Sequence, residues 1–316
     1  MLPVPALRLL HELRLRGTLT AAAEALFLSR SAASHQLASL QRAVGTPLTE
    51  RVGRTLRLTE AGAELAVRAE RVLRELEEAG AAVERLQGTV SGTVRIGLVQ
   101  TMAIRVLPHV LLDLRREHPL MRVESRSLTT EEALVAVPSG ELDLAVVPSY
   151  DTTPLRLSGG LHQEVLFRDP VRLAVPADHP LARHRGPVPM ARLAAERWIA
   201  GDRGSHFGRL VPSLCRQARF TPDVVHRTND YAVVAVLVGA DGCVALIPAS
   251  GDVERWPNVE VLEVEADGAG RDVVALMRAG SRDRPVVRAM LRALTAHGAP
   301  GGTSPEHGAA AEDGAR

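Results

Sequence analysis

The chain contains no lysine, only two cysteines and few aromatic side chains. Cys215 and Cys243 are too few for a disulfide framework or for a zinc site built from four cysteines. Aromatics make up 3% of the 316 residues, which argues against the stacking platforms of single-strand nucleic-acid binders. No apolar run reaches membrane-spanning length, and Met1-Leu2-Pro3-Val4-Pro5 has neither the basic nor the apolar stretch of an export signal. A soluble cytoplasmic protein with no membrane partner is therefore expected. The His-Glu-x-x-His, Gly-x-Ser-x-Gly, phosphate-loop and dinucleotide-binding glycine patterns are all missing. The reading is not an enzyme, with no catalytic residues, no cofactor and no metal.

An apolar content of 46% is enough for sizeable cores, and the length suggests two domains. The formal charge of +1 hides an asymmetry. Residues 1–58 carry eight arginines against Glu12, Glu24 and Glu50, a net +5, and residues 59–88 carry a net −3. A basic block of this size points to a polyanion partner.

Within that block, Leu7, Leu10, Leu13 and Leu15 mark a first helix ended by Gly17, and Thr20 is placed to cap a second. After a break at Phe27-Leu28-Ser29, the spacing of Ala33, Leu37, Leu40 and Val44 predicts a third helix over 31–44. Its opposite face carries Ser31, His35, Ala38 and Arg42, flanked by Ser34 and Ser39, small and polar enough to enter a major groove. Residues 48–58 read as a strand, a glycine turn and a strand, with Arg51, Arg54 and Arg57 available to phosphates. The bland alternative is a three-helix core with a solvated hairpin.

From Thr59, a plausible cap, Leu65, Ala69, Val72, Leu76, Ala79, Val83 and Leu86 alternate steps of four and three, a coiled-coil seam that would pair two copies. Packing against its own C-terminal domain is the alternative for this helix. Beyond Ser91-Gly92, strands and helices alternate in an α/β pattern expected to form a parallel sheet. Crossings near 162–166 and 264–270 divide the region into two subdomains with a cleft between them. Polar loops recur at strand ends, and they make Gln100, Thr101, Thr129, Gly201, Ser205 and Asn229 candidates for binding a small effector. Free N–H groups at helix N-termini there would suit an anion. Thr130 and Asn229 could instead be helix caps, and Asp202 leaves the effector's charge open.

The run Gly17-Thr18-Leu19-Thr20-Ala21-Ala22-Ala23, with Leu26, Ser29, Ser34, Gln36, Leu40, Gly45, Leu48, Arg51 and Leu58-Thr59-Glu60-Ala61-Gly62, resembles the N-terminal signature of LysR-type transcriptional regulators. Gly140-Glu141-Leu142-Asp143, His179-Pro180-Leu181 and Val244-Ala245-Leu246-Ile247-Pro248 resemble that family's effector-domain signatures. The chain departs from the family pattern at Arg30-Ser31, Gln41 and Thr49, where Gln-Pro, Glu and Phe are usual.

The resemblance implies an α/β chain with four parts. Residues 1–58 would form a winged helix-turn-helix and 59–90 a linker helix. Residues 91–297 would form an effector-binding domain like type 2 periplasmic binding proteins, with subdomain I at 91–163 and 266–297 and subdomain II at 164–265. A disordered tail would occupy 298–316. It implies double-stranded DNA at a partly palindromic promoter site as partner, with Arg30, Ser31, Ser34, His35, Arg51 and Arg54 as contacts. It also implies an unidentified small-molecule effector, a homodimer through the linker and a homotetramer. The alternatives are a solute-binding protein whose N-terminal helices only dimerise, and a regulator whose cleft is not ligand-responsive.

Overall fold

The computed structural model describes residues 2–26, 28–52, 55–86, 88–157, 160–251 and 256–298. Arg54 and Phe27 lie outside them, as does all of the expected tail beyond Gly298.

Three helices and a hairpin form the head. Helix α1 (Val4–Arg16) buries Leu7, Leu9, Leu10 and Leu13, and Gly17 ends it with a left-handed φ of 74°. Helix α2 (Leu19–Ala25) starts two residues earlier than the sequence suggested, because Thr18 rather than Thr20 accepts the Ala21 N–H. Ser29 caps α3 (Arg30–Val44), which buries Ala33, Leu37 and Leu40. Strands β1 (Thr49–Val52) and β2 (Thr55–Leu58) pair antiparallel as the wing. Gln41 holds the wing in place: its Oε1 accepts from the Leu48 and Thr49 N–H groups at 2.9 and 3.1 Å. The same side-chain oxygen also accepts from the Thr49 hydroxyl.

Helix α4 (Glu60–Leu86) begins where Thr59 accepts the Gly62 N–H and donates to the Pro47 carbonyl. The seven-residue stripe is split between two environments. Leu65 and Ala69 pack into the head core, whereas Val72, Leu76, Val83 and Leu86 are 43 to 86% exposed. A different face of the same helix meets the C-terminal domain: Glu77 pairs with Arg278 at 2.8 Å, and Arg74 lies over Gly280. The two readings of this helix are therefore compatible, one on each face.

The C-terminal domain contains β3 (Gly92–Leu98), β4 (Met121–Ser127) and β5 (Leu144–Tyr150), mutually parallel in the order β4-β3-β5. Helices α5 (Gln100–Arg105), α6 (Leu107–Glu117) and α7 (Thr130–Ala136) connect them. A single long strand, β6 (Leu161–Pro176), then carries the chain into the second half. Its partners change midway, and this moves the first crossing beyond residue 163. Up to Pro170 it pairs with β12 (Gly270–Arg278), and from Val171 with β10 (Val244–Pro248) and β11 (Val259–Glu265). The second half adds β7 (Val188–Pro189), β8 (Arg197–Ala200), α8 (His206–Gln217), β9 (Asp223–Arg227) and α9 (Tyr231–Asp241), with β10, β8 and β9 parallel. Helix α10 (Pro285–His297) returns to pack on the first half. The sheet is mixed rather than parallel, because the strands that cross between halves, β6 and β12, run against their neighbours. The ends of β3, β4, β5 and β9 reach the space between the halves.

Two glycines of α4 give opposite expectations for the same substitution. A Cβ on Gly62 would stand 1.9 Å from the Leu48 carbonyl oxygen, whereas Gly80 has open space. Gly62→Ala should lower the thermal midpoint of the head by an amount equivalent to about 1–3 kcal/mol. Gly80→Ala should be neutral or stabilising by up to about 1 kcal/mol. Circular-dichroism melts of both variants check this, and an unshifted Gly62→Ala melt would show that the wing does not sit against α4.

Candidate functional site

Two surfaces carry polar chemistry. On the head, Arg30, Ser31, Ser34 and His35 all stand exposed on the first two turns of α3, and Arg51 is exposed on β1. Ser31 also touches the capping hydroxyl of Ser29 at 3.0 Å. Among the described residues of the head, Arg8, Arg30, Arg42, Arg51 and Arg57 have no acidic partner, and all but Arg8 lie on α3 or the wing. Arg14 and Arg16 instead turn inward to Glu70 and Glu12. The positive charge of the head is thus left open on the side of α3 and the wing.

The second surface is a cavity of about 470 Å3 between the two halves of the C-terminal domain. Five of the six candidate residues line it: Gln100, Thr101, Thr129, Ser205 and Asn229. Gly201 does not. It lies under the start of α8, where a Cβ would meet the Gly208 N at 2.6 Å. Thr129, not Thr130, caps α7, in a reciprocal pair with Glu132. Asp230 rather than Asn229 caps α9, and Asn229 ties down Asp202 through both its amide atoms.

The helix N-termini around the cavity are largely occupied by the protein's own acceptors. Ser205 takes the Gly208 N–H, Glu131 the His206 N–H, and the Gln100 carbonyl the Tyr231 N–H. Only the short α5 starts without a side-chain cap. Several of the free N–H groups expected to attract an anion are thus satisfied already.

The floor holds a group that the sequence did not suggest. Arg271 on β12 and Asp169 on β6 are each 2% exposed and face one another at 2.8 Å. Ser250 donates its N–H and its hydroxyl to the two oxygens of Asp169. The guanidinium donates further to Ser250 Oγ, Tyr150 OH and Thr101 Oγ1. Burial alone would depress the Arg271 guanidinium, but Tyr150, Tyr231 and Asp169 hold it above its ordinary value, so it stays charged. Burial likewise pushes the Tyr231 phenol well up.

Besides the His206 and Tyr231 N–H bonds already given, two side-chain contacts bridge the halves above this floor. The His206 ring Nδ1 donates to Glu131 at 2.6 Å, and Gln100 Nε2 donates to Asp230 at 3.2 Å. Burial raises the Glu131 carboxyl, but its hydrogen bonds from His206 and from backbone N–H groups outweigh this and hold it below the usual range. With Arg271 neutralised by Asp169, the wall carries Glu131, Glu132 and Asp230 in excess.

Neither thiol is placed for redox chemistry. Cys215 and Cys243 are both buried, and burial pushes them up to about 12 and about 11.

Comparison with known proteins agrees with both surfaces. Residues 5–63 match the bacterial regulatory helix-turn-helix protein, lysR family, and residues 87–299 match the LysR substrate binding domain. The transcriptional dual regulator GltC of Bacillus subtilis is 28% identical over 231 residues, covering 73% of this chain and 75% of that protein. The DNA-binding transcriptional dual regulator OxyR of Escherichia coli is 29% identical over 228 residues, 72% of this chain and 73% of that protein. A full-length OxyR variant from Pseudomonas aeruginosa shares the fold with a TM-score of 0.67 at 21% identity, over 93% of this chain and 95% of that one. No described helix is long and apolar enough to cross a membrane. The exposed α3 face, the uncommitted arginines beside it and the two-lobed cavity are thus the parts of one known design, and the chain belongs to the LysR family of DNA-binding transcriptional regulators with an effector-binding domain.

Proposed function

We propose that this cytoplasmic regulator reads a partly palindromic promoter site through α3, with Ser31, Ser34 and His35 toward base edges. Arg30, Arg51 and Arg54 grip phosphates beside the groove. The observation that carries this reading is the set of unpaired arginines around a polar α3 face. Two copies pair through the exposed stripe from Val72 to Leu86, and pairs associate further into tetramers. The effector binds in the cavity between the lobes, against Gln100, Thr101, Thr129, Ser205 and Asn229. Binding there biases the placement of the two heads to the extent that it favours one lobe arrangement over another.

The carboxylate excess favours an effector that carries an ammonium or several hydrogen-bond donors, because a further anion would meet Glu131, Glu132 and Asp230. A carboxylate on the same molecule has the uncapped start of α5 available to it.

Arg51→Ala should weaken binding to every duplex alike and reduce the salt slope by about one. Ser34→Ala or His35→Ala should change base preference at single positions by about 1–3 kcal/mol. Binding isotherms on specific and scrambled promoter fragments at several salt concentrations read both effects. If Arg51→Ala alters preference and leaves affinity intact, the division of roles is wrong.

In a thermal-shift panel, amines and amino acids should raise the melting midpoint and plain carboxylates should not. A stabilising dicarboxylate together with silent amines would overturn the proposed effector chemistry.

The Glu131 carboxyl is depressed in the folded state, so its contribution to closure is complete above the usual carboxylate range and is lost as pH falls through its folded value. Melts between about pH 3 and pH 7 should therefore show a steeper loss below about pH 4.5 in the parent than in Glu131→Gln.

A further inference from the structure

At the side of the second lobe away from the cleft floor, three side chains from different elements converge. His226 lies on β9, Asp241 is the last residue of α9, and Cys243 stands just before β10. His226 Nε2 is 2.8 Å from Asp241 Oδ2, and Cys243 Sγ is 3.4 Å from the same oxygen. All three atoms lie within 4.8 Å of one another. Gly242, with a φ of 68°, turns the chain so that its two neighbours can face the same point.

The electrostatics of the place favour a cation. A carboxylate at the C-terminus of a helix faces the negative end of the dipole and is unfavourable unless positive charge is near. Arg197 supplies some: it donates to Asp241 Oδ2 at 2.8 Å and to the Asp241 carbonyl at 3.1 Å. His226 and Arg197 together hold the Asp241 carboxyl down at about 2.

The donor set is more specific than the charge. One imidazole nitrogen, one carboxylate oxygen and one sulfur form a ligand set suited to a borderline-soft ion, whereas magnesium and calcium prefer oxygen alone. A tetrahedral zinc ion at its normal bond lengths needs donor atoms about 3.3–3.7 Å apart. The sulfur–oxygen spacing of 3.4 Å lies within that range, and the nitrogen–oxygen spacing of 2.8 Å lies about half an ångström below it. The side chains of His226 and Asp241 are 34 and 40% exposed and can open by the few tenths of an ångström required, against a buried Cys243. Arg197 is itself 48% exposed and free to turn outward when another cation takes its place.

We infer that His226, Asp241 and Cys243 form a three-ligand site for a single divalent cation of the zinc type, with water as the fourth ligand. On binding, the thiol proton leaves to solvent, and the thiolate and carboxylate together balance the ion's charge. The site would fasten the C-terminus of α9 to β9 and β10. The N-terminus of that helix, at Asp230 and Tyr231, lines the effector cavity.

The test uses the full chain, stripped with chelator and titrated with Co2+. A thiolate-to-cobalt charge-transfer band should grow to one equivalent and be displaced by Zn2+. Cys243→Ser should abolish the band and Cys215→Ser should leave it. His226→Ala, a change at a partly exposed position, should weaken Zn2+ binding by about 10–100-fold. Arg197→Ala should tighten it, because the competing cation is gone. Absence of the band at stoichiometric Co2+ would overturn the site, as would undiminished Zn2+ binding in both Cys243→Ser and His226→Ala. Weaker binding in Arg197→Ala would mean that the cluster is an ion-pair network and not a metal centre.

Discussion

The two lobes are held in register by one buried ion pair. Arg271 and Asp169 sit on the two strands that cross between the halves, and their shared hydrogen bonds reach Tyr150 at the end of β5, Thr101 on α5 and Ser250 after β10. Removing one partner of such a pair costs about 3–5 kcal/mol, since the other is left charged and dry. A hydrophobic pair of similar size could hold the strands together just as strongly. It would not fix the positions of three hydroxyls around the floor, which is what a polar ligand would sense.

Above that floor the lobes touch through contacts of a different character. His206–Glu131 and Gln100–Asp230 are partly solvated and can be broken at small cost. A stiff base under weak upper contacts is the arrangement expected of a hinge: the lobes can part at the rim while the crossing strands stay paired.

The parts of this design were not equally legible in the sequence. The stripes of α1 and α3, the wing and the alternation of strands and helices follow from short-range periodicity, and their burial is what that periodicity encodes. The caps were displaced by a residue or two, Thr18 for Thr20 and Asp230 for Asn229, because adjacent polar residues compete for one capping position and only the backbone path decides between them. Five cavity residues were found because polar side chains at strand ends are a local signal. Arg271 and Asp169 were missed because each looks like a lone charge beside an apolar strand, and a partner 102 positions away has no local trace. The split stripe of α4 was half visible: its spacing gave the helix and its apolar stripe, but not which residues the head would claim.

That split has a consequence for how the molecule behaves in a cell. Leu65 and Ala69 belong to the head's own core, while Val72, Leu76, Val83 and Leu86 face outward on the same rigid rod. Under the proposed pairing, a chain newly made and still alone exposes a greasy ridge until it meets a sibling. Its persistence depends on abundance as well as on sequence. Scarce copies are the vulnerable ones, exposed to proteases and to misassociation, so the pool of competent regulator should rise more steeply than its rate of synthesis.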